Sequence, residues 1–98
     1  MARLRLSERI QADFDRILDH LSGFAPDGAA DRIASTIEAL NVLERSPLIG
    51  RPVEDGMREL VIATGRYGYL ALYRYLSELD IVFVLAVRSQ REAGYRDL

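Results

Sequence analysis

Four scarcities bound this 98-residue chain before any pattern is read: no cysteine, no lysine, a single histidine and no long apolar run. Without cysteine there is no disulfide, no thiol nucleophile and no Cys-based metal site, so the chain is compatible with a reducing compartment. Without lysine, all thirteen basic residues are arginine, whose planar guanidinium makes multi-donor contacts that an ammonium does not. The longest apolar run, Ile81 to Val87, is far too short to span a bilayer. The opening Met1-Ala2-Arg3-Leu4-Arg5-Leu6-Ser7 lacks the apolar stretch of a signal peptide. The expectation is a soluble, cytoplasmic protein with no membrane partner.

The formal charge of -2 is spread without a basic half. Residues 1–50 hold six arginines against eight acids and residues 51–98 hold seven of each, so charge alone points to no general nucleic-acid clamp. The length allows one domain, residues 1–98, around one core. No linker, internal repeat or low-complexity tract interrupts it.

The first half reads as helical. Ser7 is placed to cap a helix whose apolar positions Ile10, Phe14, Ile17, Leu18 and Leu21 recur at the helical period until Ser22-Gly23. Asp27 is a second N-cap, after which Ala30, Ile33, Ala34, Ile37, Leu40 and Leu43 or Val42 repeat the period until Ser46-Pro47 breaks it. Arg3-Leu4-Arg5-Leu6 alternates as a short strand would. In the second half the Pro/Gly-marked Ser46-Pro47-Leu48-Ile49-Gly50-Arg51-Pro52 leads into three β-type runs, Arg58 to Ile62, Gly68 to Tyr75 and Ile81 to Arg88. The predicted class is α+β: a short N-terminal strand, a two-helix antiparallel hairpin, then a three-stranded antiparallel sheet, in the order β-α-α-β-β-β, with the hairpin on one sheet face.

Few residues suit catalysis. His20 falls on the polar side of the first helix among Asp13, Arg16 and Asp19, and a lone exposed histidine reads as a surface residue. The acids Asp13, Asp15, Asp19, Asp27, Asp31, Glu38 and Glu44 read as caps and solvated faces rather than as a metal site or a catalytic pair. Gly65-Arg66-Tyr67-Gly68 joins two strands and is no phosphate loop. No serine lies in a nucleophile elbow. No cofactor and no metal are expected.

Arginine and tyrosine remain. Alternation puts Tyr69, Ala71, Tyr73 and Tyr75 on one face of the middle run and Leu70, Leu72, Arg74 and Leu76 on the other. The latter face reads either as an arginine covering apolar surface or as an open patch that another chain covers. The last run is apolar on both faces and should be central or covered on both sides. After it, Arg88-Ser89-Gln90-Arg91-Glu92-Ala93-Gly94-Tyr95-Arg96 is polar and arginine-rich. Glu92 can pair with at most one of Arg88 and Arg91, and Glu59 or Asp97 are the other acids that could hold the tail.

The order of elements resembles the RelE/ParE superfamily of toxins from bacterial type II toxin-antitoxin modules, nearer its ParE branch. So do Ser46 to Pro52, Met57-Arg58-Glu59-Leu60, Gly68-Tyr69 through Tyr73-Arg74, and Val87 to Tyr95. The resemblance covers nearly the whole chain. It implies a cognate antitoxin, with DNA contacted only through that antitoxin, and one of two activities. RelE-like members cleave mRNA on the ribosome and place an arginine just after the Gly-Tyr, where this chain has Leu70, and an arginine or histidine after the last strand, where it has Ser89. For a nuclease the surviving polar set is Arg58, Arg74, Arg91 and Tyr95. The departures favour the branch in which ParE-like toxins bind DNA gyrase and perform no chemistry, with Arg88, Arg91 and Tyr95 as the target-binding set. Leu70, Leu72, Arg74 and Leu76 are the expected antitoxin-binding face. A non-toxic interaction module of the same fold is the third alternative.

Overall fold

The computed structural model describes residues 1–24, 29–62 and 68–95. Strand β1 (Arg3–Leu6) is followed by helices α1 (Ile10–Phe24), α2 (Ala29–Ala39) and α3 (Val42–Arg45) and by strands β2 (Arg51–Pro52), β3 (Arg58–Ile62), β4 (Tyr69–Leu76) and β5 (Ile81–Ser89). The α+β class and the order of elements hold. The sheet, however, has five strands in the order β1-β5-β4-β3-β2, not three. The opening strand joins it, running parallel to β5 with Arg3 opposite Ile81 and Arg5 opposite Phe83, while the two-residue β2 extends the far edge. Alternation marks a strand but does not name its partner, which is why the parallel pairing is absent from the local pattern. As expected, β5 is interior, between β1 and β4.

Helix α1 begins where predicted: Ser7 O accepts the Ile10 N–H at 3.0 Å and Ser7 Oγ accepts the Arg9 N–H at 3.4 Å. Ile10, Phe14 and Ile17 are buried against the sheet, whereas Leu18 lies at the exposed margin of the stripe. The helix continues through Ser22-Gly23 to Phe24. The side chains of His20 and Leu21, and Asp27, Ala30 and Ile33 as core or cap positions, lie outside the described residues. The second helical stretch is not continuous to Ser46. Three-residue hydrogen bonds, Asn41 N–H to Glu38 O at 3.0 Å and Leu43 N–H to Leu40 O at 3.1 Å, tighten the chain between α2 and α3. This rotation buries both Leu40 and Leu43 completely and leaves Ala34 and Ile37 in solvent.

Asp13 is the main departure on α1. It is 2% exposed rather than solvated. Strand β1 ends opposite Val84, where the Ser7 N–H reaches Val84 O at 2.9 Å, so the outer edge of β5 beyond that point has no strand beside it. Asp13 Oδ2 accepts the Val87 N–H at 3.0 Å and Arg16 Nη2 donates to Val87 O at 3.3 Å, which satisfies the exposed peptide group from the helix. Asp13 and Arg16 pair with each other at 2.8 Å.

The Pro/Gly-marked segment is a packing device. The Gly50 N–H donates to the hydroxyl of fully buried Tyr73 at 2.8 Å, and a Cβ on Gly50 would stand 2.7 Å from the Tyr73 ring and 2.9 Å from Glu59 O. Only a residue without a side chain fits. Gly50→Ala is expected to cost about 2 kcal/mol through overpacking, whereas Gly94→Ala, where an added Cβ meets nothing within 4 Å, should be near neutral. Urea unfolding of both variants checks this, and equal midpoints would contradict it. On the same assay Asp13→Ala should cost about 3 kcal/mol, because it leaves Arg16 and the Val87 N–H without their buried partner.

Candidate protein-binding site

The helices cover one sheet face and leave the other to the side chains that alternate with the core. Register places Val61, Leu70 and Arg88 side by side on that second face, then Glu59, Leu72 and Ala86, then Arg74, Phe83 and Arg5. The strands thus set three rows, each mixing charged and apolar groups. A register shift in β5 between the partners of Leu72 and Tyr73 keeps Val84 and Val87 both in the core.

The chain turns back after Ser89. Gln90 N–H bonds Gly68 O at 3.0 Å and Glu92 N–H bonds Ser89 O at 3.1 Å. Arg88 Nη1 donates to Glu92 O at 2.6 Å and to Ser89 O at 3.3 Å. The Glu92 carboxylate leaves the tail altogether, accepting from Arg16 Nε at 2.6 Å, from Arg16 Nη2 at 3.1 Å and from the Ser89 N–H at 3.0 Å. Tyr95 then lies over the sheet, its hydroxyl donating to Glu59 Oε2 at 2.7 Å and its ring 5.1 Å from the Arg88 guanidinium. Arg51 reaches the other Glu59 oxygen, through Nε at 3.0 Å and through Nη2. An unbroken line, Arg51–Glu59–Tyr95–Arg88, crosses the face from the β2 edge to β5.

Electrostatics follow from this geometry. Burial alone would push the Glu59 carboxyl up, but the Tyr95 hydroxyl, the Arg51 guanidinium and the nearby Arg88 charge outweigh it and hold the carboxyl below its ordinary 4.5. Burial and the Glu59 carboxylate raise the Tyr95 phenol well above its ordinary 10. Glu92, more than offsetting burial, holds the Arg16 guanidinium firmly charged.

The residues expected from sequence divide sharply. Arg88 and Tyr95 stand together, while Arg91 is exposed and its guanidinium has no partner among the described residues. Arg58 is held on the core side, where Nη1 donates to Leu48 O at 3.1 Å and Gly50 O at 2.7 Å, so it braces the loop before β2. Arg74 reaches Asp55 O, within a turn that needs positive φ at Asp55 and Gly56. Arg58, Arg74, Arg91 and Tyr95 therefore form no single cluster.

The residues of the expected antitoxin face differ in exposure. Leu70 and Leu72 are only 7% and 4% exposed, Leu72 lining a groove with Tyr95, and of the three leucines Leu76 alone stays open at 41%. The tail covers what strand alternation left bare. The Glu92 carboxylate goes to Arg16, while its backbone carbonyl accepts from Arg88 Nη1. Sequence reasoning missed Arg51 and Arg16, and named Glu59 and Glu92 only as acids able to pair with the tail arginines, not as the partners of Tyr95 and Arg16. Glu59 carried a usable signal, an acid flanked by the β-type run of β3, but the Arg16–Glu92 pair spans 76 residues with no local sign.

Chemically, the face offers docking rather than an exposed acid–base pair. The Tyr95 hydroxyl and Glu59 carboxylate consume one another. An open groove of about 510 Å³ is lined by Val53, Glu54, Met57, Glu59, Leu72 and Tyr95. Towards β1, the row Arg5, Phe83 and Arg74 lies beside Arg3, Ile81 and Leu76, and neither Arg3 nor Arg5 forms an ion pair among the described residues. Among those residues no cluster of three or more His, Cys, Asp or Glu could hold a metal, and no helix is long and apolar enough to cross a membrane.

The model of the ParE toxin of type II toxin-antitoxin systems (parDE) matches residues 4–94. The chain belongs to the ParE toxin family. No curated protein matches it at a significant level. The fold is shared with the chromosomal ParDE toxin-antitoxin system from P. aeruginosa, at 24% identity and a TM-score of 0.73 over 91% of this chain and 96% of that one. It is shared as well with the intact E. coli RelBE toxin-antitoxin complex, at 16% identity and a TM-score of 0.63 over 94% and 100% of the two chains. The toxin-antitoxin complex RelBE2 from Mycobacterium tuberculosis gives 22% identity and 0.63 over 91% and 98%. The ParE family carries the functional assignment; these structures carry the fold.

Because the folded-state value of Glu59 lies below the unfolded one, its contribution to this ParE-family fold is present above about pH 5 and is lost as pH falls through the folded value. Urea unfolding as a function of pH should therefore show stability declining below the ordinary 4.5, with a smaller decline in Glu59→Gln. Tyr95→Phe should lower stability near neutral pH by about 1 kcal/mol and shrink the same acid dependence. Identical acid profiles for wild type and both variants would contradict the assignment.

Proposed function

We propose that this ParE-family toxin arrests growth by binding a target, DNA gyrase being the target the branch implies, and that it performs no chemistry of its own. The observation that carries the reading is the mutual commitment of the polar groups. Cleavage of RNA asks for a group to activate a 2′-hydroxyl, a group to protonate the leaving oxygen and cations for the charged phosphorane. Here the Tyr95 hydroxyl is spent on Glu59, Arg58 is spent on two backbone carbonyls, and Leu70 stands where a nuclease would want an arginine. Arg91, exposed and without a side-chain partner among the described residues, is suited to grip a protein surface.

The toxin is held silent by a cognate antitoxin in the cytoplasm, a reading supported by the toxin-antitoxin assemblies among the similar structures. Its seat is the open part of the helix-free face, where Leu76, Ile81 and Phe83 lie among Arg3, Arg5 and Arg74. That chemistry suits an acidic segment with apolar anchors. DNA is reached only through the antitoxin.

Two experiments test the proposal. On induction, gyrase supercoiling should fall while translated mRNA stays uncut; ribosome-dependent cuts at codon boundaries would favour the nuclease alternative. Arg91→Ala should weaken growth arrest with under about 0.5 kcal/mol of folding lost, whereas Arg88→Ala should reduce toxicity and stability together, since Arg88 carries the tail. Full toxicity in both variants would remove these residues from the site. The purified toxin should also gain about 2.7 kcal/mol of apparent stability at an antitoxin concentration a hundredfold above Kd, and an unchanged melting temperature would argue against the complex.

A further inference from the structure

We infer that Glu92, held by Arg16 of α1, is a positioning residue that sets the target-gripping geometry of Arg91 and Tyr95. This rests on the reading of the tail as the target-binding segment. The tail has two independent tethers. Its far one is the Tyr95 hydroxyl on Glu59 at 2.7 Å. Its near one is a single carboxylate that accepts two guanidinium bonds from Arg16, at 2.6 and 3.1 Å, together with the Ser89 N–H at 3.0 Å. Arg91 lies in the turn between Ser89 and Glu92, so its direction follows from where that turn is pinned. Its backbone N–H is bonded to Ser89 Oγ at 3.2 Å, and its exposed side chain has no partner among the described residues.

Arg16 is itself fixed. It pairs with buried Asp13 at 2.8 Å and donates to Val87 O at 3.3 Å, so the anchor belongs to the core and the clamped end belongs to the site. A bidentate guanidinium–carboxylate contact constrains both distance and plane, which a lone charge does not. Glu92 also presents its carbonyl to Arg88 Nη1 at 2.6 Å, and the same Arg88 guanidinium lies 5.1 Å from the Tyr95 ring centroid. Releasing the Glu92 carboxylate therefore loosens the Arg91 turn directly and the Tyr95 contact through Arg88, without removing any group that would touch a target.

The test compares Glu92→Ala, Glu92→Gln and Arg16→Lys in the full chain, each read by growth arrest, melting temperature and spectrophotometric titration of the Tyr95 phenol, with Tyr95→Phe as the reference that identifies its signal. In Glu92→Ala the phenol should titrate closer to its ordinary 10. Roughly tenfold more toxin should then be needed for the same arrest, the loss expected when an ordered contact surface becomes mobile. Glu92→Gln, which keeps the length and one acceptor, and Arg16→Lys, which keeps the charge, should fall between wild type and Glu92→Ala in both toxicity and phenol titration; Glu92→Gln should keep a melting temperature close to wild type, whereas Arg16→Lys should also melt lower because Val87 O loses its donor. Glu92→Gln and Arg16→Lys keep the inference decidable should Glu92→Ala fail to fold. Unchanged toxicity and unchanged Tyr95 titration in Glu92→Gln and Arg16→Lys would overturn it, as would a shifted titration with full toxicity. Loss of function for Arg91→Ala alone, with Glu92 variants at wild-type activity, would likewise overturn the positioning role while leaving the target-binding reading intact; full toxicity of Arg91→Ala would instead remove that reading.

Discussion

The peptide group of Val87 sits where β5 has outrun β1, and both of its hydrogen-bonding atoms are taken by one turn of α1. A buried backbone group left unpaired costs about 1–3 kcal/mol, so the Asp13–Arg16 pair is a condition for leaving that edge uncovered by a strand. The same arginine then extends to Glu92. One guanidinium thereby joins the helix layer, the sheet edge and the C-terminal tail, and each of those contacts fixes the orientation needed for the next.

The opposite face obeys a related constraint. Glu59 is nearly buried on a strand, which is tolerable because Arg51 and Tyr95 supply donors to both oxygens. That satisfaction requires the tail to return across the sheet, and the returning Tyr95 in turn packs beside Leu72 and against Arg88. Fold stability and the shape of this face are consequently the same set of bonds. For a docking surface such mutual commitment is no loss, because a surface of that kind gains from being held in one conformation before a partner arrives.

Local sequence carried more of the fold than of the site. Ser7 as the start of α1, the alternation of Tyr69, Ala71 and Tyr73 against Leu70, Leu72 and Arg74, and the interior place of β5 are all legible because neighbours along a helix or strand share one periodicity. Arg88 and Tyr95 were singled out from the arginine-rich tail and the family resemblance, and the fold sets them side by side. Their partners were only partly so: Glu59 could be named among the acids able to hold the tail, but neither its bond to Tyr95 across 36 residues nor the Arg16–Glu92 pair across 76 has a local sign. Asp13 was misread for the same reason, since a helix periodicity cannot anticipate a strand edge that needs a carboxylate.

By itself the sequence determined the α+β class, the order of elements and membership of a toxin family, each of which rests on patterns repeated within a few residues or on motifs in fixed order. Tertiary structure alone decided that β1 pairs in parallel with β5, that Leu70 and Leu72 are covered, and that the Glu92 carboxylate goes to Arg16. The physical reason is the same in every case. These outcomes depend on which unsatisfied donor or acceptor the packed layers bring within hydrogen-bond reach, and that competition exists only once the chain has folded.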